Sequence, residues 1–184
     1  MVENSELRQF PVLETERLRL RQLGPLDAAA LFRILSSEEV TRYYGRFPLI
    51  EQLEAEEMIE RFRLLFEEQR GFRWGIELKE NAQVIGTVGF HAWAYSHNRA
   101  EIGYELNESY HGKGYAHEAL TAAISYGYQD MGLNRIEALV YPQNEASERL
   151  LLRLGFQLEG LLKQYAFFRD TYVDLNMFAL LREP

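Results

Sequence analysis

The chain has 184 residues, a formal net charge of −8 and no cysteine, with 47% hydrophobic and 26% charged residues. That balance describes one folded domain with a sizeable core and excludes a disordered chain. The acidity argues against broad nucleic-acid binding, the missing cysteine excludes disulfides, thiolate metal sites and a cysteine acyl-enzyme, and no apolar run nears the ~20 residues that span a bilayer.

Taken in chain order, residues 1–13 read as an N-terminal tail and residues 14–184 as the single domain. The acidic start "MVENSELRQF" lacks the hydrophobic stretch of a secretory signal, so cytoplasm is the expected location. "ERLRLRQL" alternates Leu18 and Leu20 with arginines, which predicts a half-buried strand ended by Gly24-Pro25. A helix follows over "LDAAALFRIL", and "TRYYGRFP" is a turn-rich connector. In "IEQLEAEEMIERFRLLFEEQRG", Ile59, Phe62, Leu65 and Phe66 recur at helical spacing. Glutamates crowd the start of that helix and arginines its end, in keeping with the helix dipole, and Gly71 suits the stop.

Strands are predicted at 72–79, 83–93 and 99–107, with "ENAQ" and "YSHN" as turns. A helix over about 114–131 places Ala116, Ala119, Leu120, Ala123, Ile124 and Gly127 on one face. A strand at 135–141 precedes a helix at 144–155, with Asn144 as N-cap and Gly155 beyond its end. "FQLEGLLKQYAFF" and "TYVDLNMFALL" form a hairpin around Arg169-Asp170. The order predicts a mixed α/β domain.

"NESYHGKG" joins a strand to a helix N-terminus, the arrangement that leaves backbone N–H groups free for an anion. The nucleotide pattern G-x-x-x-x-G-K-[ST] is absent. G-x-G-x-x-G begins at Gly112 and Gly114 but meets His117 at its third glycine, and the preceding strands form hairpins rather than βαβ units. The loop is therefore a candidate phosphate cradle of another kind, against a plain tight turn with a solvated lysine.

His111-Gly112-Lys113-Gly114-Tyr115-Ala116 resembles the acyl-CoA signature Q/R-x-x-G-x-G/A of the GNAT superfamily of N-acetyltransferases, with His111 at the Gln or Arg position. Asn144 through Phe156 resembles that superfamily's second motif, an Asn-led helix ending in Gly-Phe. The likeness runs from about residue 13 and is nearest to the branch that acetylates N-terminal residues of ribosomal proteins. It implies a central, mostly antiparallel sheet splayed between strands 4 and 5, with helices on both faces.

The resemblance further implies that acetyl-CoA lays its pyrophosphate on the N–H groups of residues 112–117, with His111 and Lys113 beside them. The pantetheine arm would pair with the strand edge at Tyr104, Glu105 and Leu106 and meet Asn144. The acceptor would be a primary amine, either a protein or peptide N-terminus or a small amine such as a polyamine or antibiotic, with no metal and a monomer or homodimer as the assembly. A catalytically silent acyl-CoA sensor is the competing reading.

Amine attack on a thioester needs a neutral amine and a proton for the leaving thiolate. A peptide α-amine, with a pKa of about 8, sheds its proton more readily than lysine at about 10.4. Many relatives place a tyrosine acid inside the second motif, where this chain has Leu151 and Leu152. Ser147 is the substitute candidate, either as that acid or as a hydroxyl bonding the helix backbone. Glu101 and His91, on neighbouring strands, are candidates for the base. Ala166 stands where some relatives carry a glutamate. Arg42, Tyr43, Tyr44 and Trp93 are candidates for the acceptor side, and Tyr165 and Tyr172 are further hydroxyls in the final hairpin.

Overall fold

Leu18 and Leu20, the apolar half of the alternating "LRLRQ", are both fully buried, and the strand they define lies second from one edge of an eight-stranded sheet. In the computed structural model, which describes residues 9–182, the chain runs through β1 (Leu13–Glu14), β2 (Leu18–Gln22), α1 (Ala28–Leu35), α2 (Glu38–Thr41) and α3 (Gln52–Glu67). It continues through β3 (Phe72–Leu78), β4 (Val84–Ala94), β5 (Arg99–Leu106), α4 (Tyr115–Gln129), β6 (Arg135–Val140), α5 (Glu145–Arg153), β7 (Gln157–Phe168) and β8 (Thr171–Leu181). The strand order is β1-β2-β3-β4-β5-β6-β8-β7.

Every neighbouring pair is antiparallel except β5 and β6, which run parallel and meet only at Arg99–Glu101 against Arg135–Glu137. Beyond Glu101 the two strands part, leaving β5 from Ile102 to Leu106 without a partner on that side. This is the expected splay. It falls between the fifth and sixth strands because β1 adds one at the front.

Helices cover both faces. Ala119, Leu120 and Ala123 of α4 pack in one cluster with Trp74, Phe90 and Ile136. Leu31, Ile34 and Leu35 of α1 join Ala55, Met58 and Ile59 of α3, with Leu23 and Val84, in a second. β3, covered on both sides, is buried at all seven positions, as a strand inside two helical layers must be. Each fully buried leucine or isoleucine contributes about 1.5–3 kcal/mol. The final hairpin turns at Arg169 and Asp170, both at positive φ (53° and 59°), the conformation a two-residue hairpin loop requires.

Two sequence expectations need correction. The chain joins the fold before residue 14: Phe10 packs on Phe66 and Phe72 with ring centroids 5.0 and 6.0 Å away. The Pro11 carbonyl accepts the Trp74 indole N–H at 2.8 Å, giving a fully buried indole the partner it needs. Residues 1–8 of the expected tail lie outside the described residues. The connector "TRYYGRFP" also follows a helix the sequence reading lacked. Ser37 caps α2, its Oγ accepting the Val40 N–H, and Thr41, fully buried, donates to the Ser37 carbonyl at 2.8 Å. Four residues are too few to show an apolar period.

Candidate active site

The loop after β5 is built for exposed main chain. Gly112 and Gly114 stand at φ +73° and +82°, where a Cβ brings strain. The first bond inside α4 runs from the Glu118 N–H to the Gly114 carbonyl at 3.0 Å, so the N–H groups of Tyr115, Ala116 and His117 precede the intrahelical ladder. A cavity of about 1220 Å³ opens on this helix end, and of residues 111–117 only Lys113 does not line it. The Lys113 ammonium turns away to the Ser109 carbonyl at 2.9 Å and lies 5.4 Å from the Tyr110 ring. His111 bonds through Nε2 to the Leu106 carbonyl at 2.9 Å. Its ring thus ties the loop to the end of β5 and accounts for a histidine at a position usually held by Gln or Arg.

The open edge of β5 continues the cavity. Tyr104, Glu105 and Leu106 line it while pairing with Val88, Thr87 and Gly86 on the β4 side. Across the splay, Asn144 caps α5 by accepting the Ser147 N–H at 3.2 Å, and both residues line the cavity. The backbone N–H of Ser147 therefore makes the capping bond, and its hydroxyl is left for the cavity and for Tyr104, whose hydroxyl is 2.5 Å away. Burial pushes the Tyr104 phenol up to about 12, against the pull of its bond to Ser147, so it stays protonated across the neutral range. Leu151, one turn along α5, is fully buried in the core, while Leu152 is exposed; neither reaches the cavity.

Arg42, Tyr43 and Tyr44, at the end of α2, also line the cavity. Beneath them lies a buried cluster in which Arg73 bonds the Glu105 carboxylate and, at 2.5 Å, the Thr87 hydroxyl, which in turn bonds Glu105. The Arg73 guanidinium sits 5.8 Å from the Tyr44 ring and 5.7 Å from that of Phe62. Desolvation opposes its charge, but Glu105 more than compensates and holds the arginine above its ordinary range. Burial pushes the Tyr44 hydroxyl up to about 12.

His91 and Glu101, the two base candidates, lie on neighbouring strands and pair with each other across them, Nε2 and Oε1 3.0 Å apart. Neither lines the cavity. The His91 ring lies over Gly103, beside Arg73, on the sheet face opposite Tyr104. Trp93 stacks on Tyr95 at 4.1 Å instead of facing the cavity. Tyr165 and Tyr172 are exposed and also outside it.

Three cavity arginines escaped the sequence reading. Arg17 pairs with Glu118 at 2.7 Å, donates to the Lys113 carbonyl at 2.9 Å and covers the Tyr115 ring at 4.4 Å. It thereby clamps the loop against β2. Arg149 and Arg153, on successive turns of α5, line the same cavity, Arg149 paired with Glu145 at 3.0 Å. Arg17 looked like the solvent half of an alternating strand, and its partner lies 101 positions away.

Comparison with known proteins fits this geometry. The acetyltransferase (GNAT) domain family matches residues 17–157, and the chain belongs to that family: it is an acetyltransferase of the GNAT class. YoaA, an uncharacterized N-acetyltransferase of Bacillus subtilis, is 47% identical over 173 residues, covering 94% of this chain and 98% of the relative. The ribosomal-protein-serine acetyltransferase of Escherichia coli is 37% identical over 111 residues, 60% of this chain and 62% of its own. Among solved structures, RimL, a ribosomal L7/L12 alpha-N-protein acetyltransferase in complex with coenzyme A, superposes with a TM-score of 0.84 at 23% identity, covering 93% of this chain and 98% of that one.

Proposed function

We propose that this acetyltransferase moves an acetyl group from acetyl-CoA directly to a primary amine, with the N-terminal amine of a protein or peptide as the acceptor. One observation carries the reading: the N–H groups at the start of α4, the open edge of β5 and the Ser147 hydroxyl all face a single cavity. That order matches a ligand with phosphates at one end, an amide-bearing arm in the middle and a reactive thioester at the other. The coenzyme A complex of the RimL structure supports it. The kinship to the ribosomal-protein-serine acetyltransferase supports a protein N-terminus as acceptor.

In this reading the pyrophosphate lies on residues 112–117, Arg17, Arg149 and Arg153 supply positive charge around it, and Asn144 holds the arm. The amine enters past Arg42, Tyr43 and Tyr44. Its nitrogen attacks the carbonyl carbon, the C–S bond breaks with its electron pair going to sulfur, and Ser147 gives sulfur a proton. The Glu101–His91 pair takes the amine proton through water, because neither side chain reaches the cavity directly. An α-amine, with a pKa of about 8, makes a modest demand on that base.

The test is thiol release from acetyl-CoA over peptides with different N-termini, polyamines and aminoglycosides. Release with peptides is expected. Release only with polyamines or aminoglycosides would move the acceptor to small amines, and CoA binding without release over the whole panel would make the chain a sensor. Neither release nor CoA binding would overturn the reading.

A further inference from the structure

The hydroxyl facing Ser147 has no part in the steps above. We propose that Tyr104 is a positioning residue for the leaving thiolate: its hydroxyl donates to Ser147 Oγ and so turns the serine hydrogen into the cavity. The inference rests on the role of Ser147 proposed above.

Three observations meet here. The two oxygens are 2.5 Å apart, and both residues line the cavity at the splay. Burial keeps the phenol protonated across the neutral range, so it has a hydrogen to give. The α5 position one turn beyond Ser147 holds Leu151, buried in the core, so the helix offers no phenol of its own and the strand supplies one from across the sheet opening.

A lone serine hydroxyl rotates freely and points its hydrogen anywhere. With Tyr104 donating to it, the only hydrogen left on Ser147 faces the cavity. As the C–S bond breaks, the serine hydrogen passes to sulfur and the tyrosine hydrogen follows onto the serine oxygen. The phenol regains its hydrogen from solvent water, and the amine proton held by the Glu101–His91 pair returns to solvent, so the exchange balances.

The experiment is a double-mutant cycle on the intact chain with Tyr104→Phe and Ser147→Ala, reading thiol release from acetyl-CoA and CoA affinity. Tyr104→Phe should lower kcat by about tenfold, toward the small end of acid–base effects, with the KM for acetyl-CoA and the CoA affinity held within about twofold. In the Ser147→Ala background the same change should have no further effect. Wild-type kcat in Tyr104→Phe, or a loss that persists undiminished without Ser147, overturns the proposal. If no amine in the panel is a substrate, the cycle is read on the slow hydrolysis of acetyl-CoA, whose leaving sulfur needs the same proton. That outcome sinks the acceptor reading and still decides the role of Tyr104.

Discussion

The two ends of the cavity are made of different material. At the α4 end the cavity presents main-chain N–H groups, exposed by two glycines at positive φ and braced by His111 and Arg17. At the α2 end it presents side chains, Arg42, Tyr43 and Tyr44, set over a buried Arg73–Glu105 pair. A main-chain site depends on backbone shape and tolerates changes of neighbouring side chains. A side-chain site changes its preference with each substitution. Under the proposed function, the α4 end is the donor part that this chain would share with relatives of different acceptors, and the α2 end is where its own acceptor would be chosen.

The largest effect that would break this contrast is at Arg73. Arg73→Ala leaves the Glu105 carboxylate buried without its partner, and loss of one member of a buried pair costs about 3–5 kcal/mol. Urea unfolding of the intact chain should show it, and a change below ~1 kcal/mol would mean that the cluster under Tyr44 does not support that end. Next comes Tyr43→Ala, which removes a ring packed 5.8 Å from that of Tyr141 at the α2 end. We expect the KM for the amine to rise roughly tenfold, about 1.4 kcal/mol, with CoA affinity unchanged; an equal loss of CoA affinity would erase the distinction between the ends.

The smallest effect concerns the Arg17–Glu118 clamp. Burial pulls the Glu118 carboxyl upward, but the Thr15 hydroxyl, the Arg17 N–H and its guanidinium together hold it below its ordinary value of 4.5. A carboxyl lowered on folding adds stability above its unfolded pKa and loses it as pH falls through the folded one. Glu118→Gln should therefore cost stability at pH 7 and much less at low pH, once the wild-type carboxyl is protonated as well. A penalty constant between pH 7 and pH 3 in chemical unfolding would contradict the clamp.

What could be read beforehand follows the same division. The splay was legible only through the resemblance to a family, whereas the glycine loop, the Asn144 cap and the hairpin turn at Arg169-Asp170 leave local marks, glycine spacing or a capping residue before an apolar run. The pairs that finish the site leave none. Tyr104 meets Ser147 across 43 positions, Arg73 meets Glu105 across 32, and Arg17 meets Glu118 across 101. Such partners are set by strand register and helix docking, which periodicity in one segment does not encode. α2 and β1 were missed because four and two residues carry no period. Lys113, conspicuous in the sequence between two glycines, points out of the cavity because its neighbours' φ values turn the loop to present backbone instead.

The most direct test of the main-chain cradle is the affinity for CoA, measured by titration calorimetry, of Gly114→Val beside Lys113→Ala. Valine at Gly114 forces a β-branched side chain to φ +82° and brings its Cβ within 3.3 Å of Arg17 Nη2, so affinity should fall by about a hundredfold or more, some 2.7 kcal/mol. Lys113→Ala should lose less than about threefold. A larger loss at Lys113 than at Gly114 would contradict the account.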